Sequence, residues 1–189
     1  MTADLPRRGG LALIGYRGTG KTSVGRIVAA RTGRPFVDAD QAVEARAGLT
    51  IRRIFEEQGE PAFREWESRI LADLATSHAG GILATGGGAI LAPANREILK
   101  GFGFVAWLTA DPETLARRLR SGRHGVADRP ALTASGTLGE IAEVLAARTP
   151  LYDETADRAI DTVRKTADQV ADAVIEAWRR ADTEGSEGR

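Results

Sequence analysis

Residues 15–22 combine glycines, a lysine and a threonine at a spacing suited to binding phosphate. Their sequence, GYRGTGKT, fits the pattern G-x-x-x-x-G-K-[ST] and lies between an apolar run and a helical stretch. Glycines let the backbone turn tightly, so that several N–H groups converge on one phosphate, and the helix N-terminus adds its positive end. Lys21 then reaches the β- and γ-phosphate oxygens, and the Thr22 hydroxyl is a ligand for Mg²⁺. We predict that ATP or GTP is bound by Gly15, Gly18, Thr19, Gly20, Lys21 and Thr22.

Two aspartates, Asp38 and Asp40, end the next apolar run. Side chains two residues apart point to the same side of an extended strand, so both carboxylates can face one site at the strand's C-terminal edge. One carboxylate would then serve a metal ion and the other a substrate. In the alternative interpretation, Asp40 only caps a helix that begins at Gln41. The two roles are compatible.

The composition excludes several other kinds of site. The 189 residues include 26 basic and 26 acidic side chains, so no net field favours nucleic acid or an anionic membrane. The chain has no cysteine and two histidines, which excludes disulfides, thiolate zinc sites and cysteine nucleophiles. A metal must therefore be bound by oxygen ligands.

The N-terminus lacks the apolar core of a signal peptide, and no stretch approaches ~18 uninterrupted apolar residues. We expect a cytoplasmic protein.

Short apolar runs alternate with helical stretches, which is the pattern of a parallel sheet with crossover helices. Asp111 followed by Pro112 is typical of a helix start. The length suits one domain, at residues 1–182, before a tail at 183–189 whose composition predicts disorder. We predict a three-layer α/β sandwich with strands at residues 11–15, 35–38, 81–85, 104–109 and 158–161 and a last helix at 166–181.

Residues 121–139 interrupt this order with glycine, arginine, proline and serine and without a sustained apolar period. This composition predicts a mobile loop. It is either a variable surface excursion or part of a lid, at about residues 117–139, that carries Arg129 to the site.

Two other classes of nucleotide-binding protein lack support in the sequence. A regulatory GTPase needs an Asn-Lys-x-Asp motif to recognise guanine, yet the only asparagine is Asn95, which Arg96 follows. A transporter-type ATPase needs a Leu-Ser-Gly-Gly signature, which is absent. Kinases that act on small molecules remain.

Further motifs follow the phosphate-binding run. They are Asp38-Ala39-Asp40, Ile54-Phe55, Gly59-Glu60, Phe63-Arg64 with Glu67, Gly86-Gly87-Gly88, Arg129-Pro130, and Arg148 with Tyr152. In this order and spacing the chain resembles the shikimate kinase family over about residues 10–180. The resemblance implies a P-loop fold with a five-stranded parallel sheet in the order 2-3-1-4-5. It also implies transfer of the γ-phosphate of MgATP to the 3-hydroxyl of shikimate, in aromatic amino acid (chorismate) biosynthesis. We expect a monomer.

The resemblance assigns the shikimate site to a helical segment at about residues 40–70 and to two later motifs. Shikimate carries a carboxylate and hydroxyls, and arginine can donate two parallel hydrogen bonds to a carboxylate. The implied substrate-binding residues are Asp40, Arg64, Gly86, Gly87, Gly88 and Arg148, with Glu67 holding Arg64 in place. Without the resemblance, Arg64 and Glu67 read as an ordinary surface ion pair and the three glycines as a flexible turn.

The remaining assignments concern catalysis and the nucleotide. The implied catalytic residues are Lys21, Asp40, which would accept the hydroxyl proton, and Arg129, which would meet the transferred phosphoryl group. Thr22 and Asp38 are the implied Mg²⁺ site. The candidates for the adenine pocket are Arg117, Arg118, Arg120 and Arg164.

Two questions stay open at this point. Arg17 stands where many family members have a smaller or apolar residue, and it either adds charge beside the substrate or faces solvent. The alternative functions are another small-metabolite kinase of this architecture, such as a gluconate kinase, and a nucleotide-binding regulator without catalysis.

Overall fold

A computed structural model describes residues 9–121 and 138–187 of the chain. Five strands form one parallel sheet: β1 (Gly10–Ile14), β2 (Phe36–Asp38), β3 (Ile82–Ala84), β4 (Gly103–Thr109) and β5 (Arg158–Asp161). Their order across the sheet is β2-β3-β1-β4-β5, and every neighbouring pair is parallel. Both the five predicted strands and their predicted order are confirmed.

Seven helices connect or follow the strands in the described part of the chain. They are α1 (Lys21–Thr32), α2 (Ala39–Ala47), α3 (Ile51–Ser77), α4 (Pro93–Phe102), α5 (Pro112–Ser121), α6 (Leu138–Thr155) and α7 (Ala167–Glu187). A short 3₁₀ helix, Ala89–Leu91, follows β3. Asp111 caps α5 as predicted, because its Oδ1 accepts from the Thr114 N–H at 2.6 Å.

The sheet is covered on both faces, which confirms the three-layer sandwich. In β1, Leu11 and Leu13 belong to a core formed with α1 and α7, whereas Ala12 and Ile14 belong to a second core that includes residues of α3 and α4. Alternating side chains of one buried strand thus serve both layers. Strands buried on both faces are almost continuously apolar, and for that reason they are visible in the sequence as short apolar runs.

Two helices depart from the sequence-based expectation. The last helix, α7, continues to Glu187, so the predicted end at residue 181 is too early and the predicted disordered tail is helical as far as that residue. Gly59 interrupts α3 with φ 83° and ψ 171° and divides it into two helical pieces. No helix in the described ranges is long and apolar enough to cross a membrane.

Parallel strands bring their C-terminal ends to one edge of the sheet. In this molecule, the segments that follow β1, β2, β3, β4 and β5 all begin at that edge. Most of the residues predicted to act in chemistry lie in those segments or on the helices beside them.

Candidate active site

The segment between β1 and α1 forms a tight loop that depends on its glycines. Gly15, Gly18 and Gly20 have φ values of 137°, 84° and 95°, which side chains other than glycine rarely adopt. A Cβ at Gly15 would also overlap the Leu108 carbonyl. Gly20 precedes α1, and no side chain caps this helix. The loop therefore presents a helix N-terminus, a position that favours an anionic phosphate group.

Lys21 folds back over this loop. Its Nζ donates to the carbonyl oxygens of Gly15 at 2.7 Å and Tyr16 at 2.9 Å, and the residue is only 8% exposed. The ammonium group is thereby held above the phosphate-binding loop. The Thr19 hydroxyl donates to the Tyr16 carbonyl at 2.8 Å and so shapes the loop.

Thr22 and Asp38 lie side by side where α1 and α2 begin. The Thr22 hydroxyl donates to Asp38 Oδ2 at 2.7 Å. Hydroxyl and carboxylate oxygens are hard ligands of the kind that Mg²⁺ prefers, and Mg²⁺ is commonly held by one or two protein oxygens together with substrate phosphates and waters. The chemistry of these two side chains therefore fits the magnesium site predicted for them.

Asp38 also caps α2, and this corrects the reading of the neighbouring aspartate. Its Oδ1 accepts from the backbone N–H groups of Asp40 at 3.0 Å and Gln41 at 3.4 Å. The helix begins at Ala39, so Asp40 lies in its first turn and the alternation of an extended strand does not apply to the two aspartates. Asp40 is half-buried, and it is not the capping residue.

Arg64 lies on the second piece of α3 and is held by two glutamates. Its Nη1 donates to Glu67 Oε2 at 2.7 Å and its Nη2 to Glu60 Oε1 at 2.9 Å. Glu67 is only 3% exposed, so this pair is not an ordinary surface ion pair. Burial of the guanidinium opposes its charge, but Glu67 and Glu60 outweigh burial and raise the pKa of Arg64. The side chain also covers the Phe63 ring, with Cζ 5.2 Å from the ring centroid.

The triple-glycine turn between β3 and the 3₁₀ helix touches three parts of the site. A Cβ at Gly88 would overlap the Arg64 guanidinium. A Cβ at Gly87 would lie 3.2 Å from the backbone nitrogen of Arg17 and 3.4 Å from the Gly15 carbonyl oxygen. A side chain at Gly87 would thus crowd the phosphate-binding loop, and one at Gly88 would displace the Arg64 guanidinium. The turn is buried, which corrects its reading as a merely flexible connection.

Arg148, on α6, contacts the same turn. Its Nη1 donates to the Gly87 carbonyl oxygen at 3.1 Å. The structure thus brings Arg64 and Arg148 to adjacent glycines, directly beside the phosphate-binding loop. A second donor, the Tyr152 hydroxyl, reaches the same carbonyl at 2.6 Å. The sequence places Tyr152 in a motif with Arg148, but nothing in the sequence indicates this hydrogen bond.

On the other side of the loop, Arg118 is the one of the three α5 candidates that contacts the phosphate-binding loop. It donates to the Gly18 carbonyl at 3.2 Å and to the Thr162 carbonyl at 2.6 Å. Burial and the neighbouring Arg117 lower the pKa of Arg118. By contrast, Arg117 donates to Thr114 in its own helix at 3.3 Å, and Arg120 is exposed.

Three further arginines are predicted to lie at or near the site. Arg164 follows β5 in a left-handed conformation, with φ 55°, and is exposed. Arg17 is half-buried at the junction of the loop and the glycine turn, and its buried Nε has no hydrogen-bond partner in the described part of the structure. Arg129 lies outside the described residues.

Comparison with known proteins identifies relatives across almost the whole chain. The family model for shikimate kinase matches residues 17–179. A shikimate kinase of Symbiobacterium thermophilum is 43% identical over 178 residues, which are 94% of this chain and 99% of that relative. A shikimate kinase of Thiobacillus denitrificans is 43% identical over 162 residues, covering 86% of each chain.

Solved structures agree with this assignment. A shikimate kinase from Acinetobacter baumannii, in complex with shikimate, superposes with a TM-score of 0.86 at 35% identity and covers 93% of this chain and 96% of its own. A gluconokinase from Sinorhizobium meliloti superposes with a TM-score of 0.58 at 17% identity, over 97% of this chain and all of its own, and this likeness shows only the fold. The resemblance seen in the sequence motifs is confirmed: the chain belongs to the shikimate kinase family.

Proposed function

We propose that this protein transfers the γ-phosphoryl group of MgATP to the 3-hydroxyl of shikimate, giving shikimate 3-phosphate and ADP. The observation that carries the proposal is the pair of arginines, Arg64 and Arg148, at adjacent glycines next to the phosphate-binding loop. A cationic pair in this position suits an acceptor that has a carboxylate at one end and the attacking hydroxyl at the other.

The two arginines bind the substrate carboxylate. Guanidinium groups match a carboxylate through parallel hydrogen bonds, and such charge-assisted bonds are the strong ones. Glu67 holds Arg64 through a partly buried ion pair, so that less side-chain freedom is lost when the substrate binds. Gly86, Gly87 and Gly88 let the substrate approach the sheet edge closely.

Asp40 accepts a hydrogen bond from the attacking hydroxyl and takes its proton as the new phosphate ester forms. Because Asp38 supplies the helix cap, the Asp40 side chain is not needed for that purpose. Phosphoryl transfer has a loose transition state, so positioning of the hydroxyl contributes at least as much as its deprotonation.

The phosphate end is served by the loop, by Lys21 and by a magnesium pair. Lys21 turns from its loop carbonyls to the β- and γ-phosphate oxygens, where it stabilises charge that develops in the transition state. Thr22 and Asp38 would hold Mg²⁺, which supplies charge neutralisation between the phosphates when it is bound. We assign Arg129 to the transferred phosphoryl group, and Arg118 and Arg164 to the adenine pocket.

We further propose that the enzyme acts as a monomer in the cytoplasm. Lys21, Asp40, Arg64 and Arg148 all come from one chain, and no partner surface is needed to complete the set. Light scattering after size-exclusion chromatography tests this part, and a stable dimer at assay concentration would contradict it.

A coupled assay of ADP release tests the proposed function against its competitors. The purified protein is given MgATP with shikimate, with gluconate or without an acceptor. We expect turnover with shikimate alone. Turnover with gluconate alone would indicate a different small-metabolite kinase, and nucleotide binding without turnover on any acceptor would indicate a regulator.

A further inference from the structure

One backbone carbonyl at the substrate site accepts two hydrogen bonds from the same helix. The Gly87 oxygen is 2.6 Å from the Tyr152 hydroxyl and 3.1 Å from Arg148 Nη1. We propose that Tyr152 is a positioning residue for shikimate binding: it keeps this carbonyl bonded while Arg148 turns from it to the substrate carboxylate. The inference rests on the proposed function.

The two donors differ in how firmly they are held. Tyr152 is fully buried, and its ring stacks on Trp107 with the centroids 5.5 Å apart. Burial raises the pKa of Tyr152, so the phenol stays protonated and remains a donor over the working pH range. Arg148 is only half-buried and makes the longer of the two bonds. Arg148 is therefore the less firmly held of the two donors to Gly87.

Release of Arg148 would be costly without the tyrosine. Gly87 is buried. A buried carbonyl without any hydrogen-bond partner carries the full free-energy cost of its desolvation. A carbonyl oxygen has two lone pairs and can accept from both donors at once. With Tyr152 in place, the carbonyl keeps one hydrogen bond when Arg148 leaves. Breaking the Arg148 bond then costs less free energy, and shikimate binds more tightly.

The turn that accepts this hydrogen bond also lies close to the phosphate-binding loop. A Cβ at Gly87 would lie within 3.4 Å of both the Arg17 nitrogen and the Gly15 carbonyl oxygen. Gly87 therefore contacts the phosphate-binding loop and, through its carbonyl oxygen, the Tyr152 hydroxyl.

Tyr152→Phe tests the proposal, since phenylalanine keeps the ring that stacks on Trp107 and removes only the hydroxyl. We expect KM for shikimate to rise about 5- to 20-fold, the size of one lost buried hydrogen bond, with kcat and KM for ATP within about twofold of wild type. Thr155→Val is the matched control, because the buried Thr155 hydroxyl bonds Leu151 in its own helix; its kinetic constants should not change.

A second measurement separates positioning from a loss of structure. In an Arg148→Lys background, which loses the planar donor that leaves Gly87, Tyr152→Phe should raise KM for shikimate less than about twofold further, because the two residues act through one carbonyl. Independent effects that multiply would overturn the proposal. If the phenylalanine variant does not fold, Tyr152→Met offers a second side chain without a hydroxyl.

Different experimental results would overturn the role of Tyr152 and the proposed function. A wild-type enzyme that does not phosphorylate shikimate would overturn the function itself. A wild-type enzyme that does so, combined with an unchanged Tyr152→Phe variant, would overturn only the role of the tyrosine. Equal loss of affinity for ATP and shikimate would also overturn it, since that pattern belongs to a residue that supports the fold.

Discussion

Asp38 and Asp40 are two residues apart and have separate surroundings. Asp38 accepts from the Thr22 hydroxyl and caps α2, whereas Asp40 lies in the first turn of that helix. Asp38 is therefore the capping residue, and the chemistry is proposed for Asp40. Asp40→Asn should leave the cap intact and lower kcat/KM for shikimate at least ~100-fold, the range of a lost positioning or acid–base group. Steady-state rates against shikimate, together with fluorescent nucleotide binding, measure both effects.

Asp38→Asn is the informative companion to this variant. Asparagine caps helices about as well as aspartate, so the fold should survive, but the charge beside Thr22 is lost. Its activity should need more Mg²⁺ while KM for shikimate stays close to normal. A near wild-type rate for Asp40→Asn, or the same Mg²⁺ dependence for both variants, would remove the distinct roles given to the two carboxylates.

The two glutamates that hold Arg64 differ mainly in burial. The Glu67 side chain is 4% exposed, whereas the Glu60 side chain is 51% exposed. Glu67→Gln removes a charge next to a partly buried guanidinium, and we expect KM for shikimate to rise about 10-fold, because hydrogen bonds between charged groups contribute about 1.5–3 kcal/mol. Glu60→Gln is the control, and exposed pairs contribute little. Similar effects of the two substitutions would show that burial does not set their roles.

Among the elements, α3 carries the clearest backbone constraint. Gly59 has φ 83° and ψ 171°, a region open almost only to glycine, and the break lies between Phe55 and the Phe63-Arg64 pair. Gly59→Ala should destabilise the protein by roughly 1–3 kcal/mol and raise KM for shikimate more than KM for ATP. Urea unfolding and steady-state kinetics measure the two effects.

Gly48→Ala provides the matched control for this break. Gly48 ends α2 with φ 67° and ψ 14°, and a Cβ there would meet nothing within 4 Å. The left-handed helical region costs other residues less than the region of Gly59 does. Gly48→Ala should therefore be the milder substitution and leave KM for shikimate unchanged. If Gly48→Ala is as damaging as Gly59→Ala, the break in α3 has no special role.

The sequence predicts most of the strands and helices but few of the contacts between them. Buried parallel strands are continuous apolar runs, so β1 to β5 could be located within a residue or two. The start of α2 was missed because a short strand and a helix cap share Asp38, and strand alternation gave the wrong geometry for Asp40. The loop contact of Arg118 and the hydrogen bond of Tyr152 join residues 100 and 65 positions apart in the chain, and local patterns contain no information about such pairs.

For the whole molecule, the parallel sheet explains how these distant residues meet. The segments after β1, β2 and β3 supply the phosphate loop, the aspartates and the glycine turn, because parallel strands end at one edge. The helices α3 and α6 then bring Arg64 and Arg148 to adjacent glycines of the turn. A gluconokinase shares the fold at 17% identity, so the architecture alone does not choose the acceptor. We propose that the side chains at this edge make that choice.

Ligand-dependent thermal stability tests that choice on the whole protein. A ligand that binds only the folded state, at about 100 times its Kd, stabilises it by about 2.7 kcal/mol, which for a domain of this size raises Tm by roughly 5–10 °C. Shikimate should produce this shift and gluconate should produce none. In the double variant Arg64→Ala, Arg148→Ala, the shikimate shift should disappear while the shift with MgATP persists, because we propose that both arginines bind the acceptor and not the nucleotide. A gluconate shift equal to that of shikimate, or a shikimate shift that survives the double variant, would mean that these arginines do not select the acceptor.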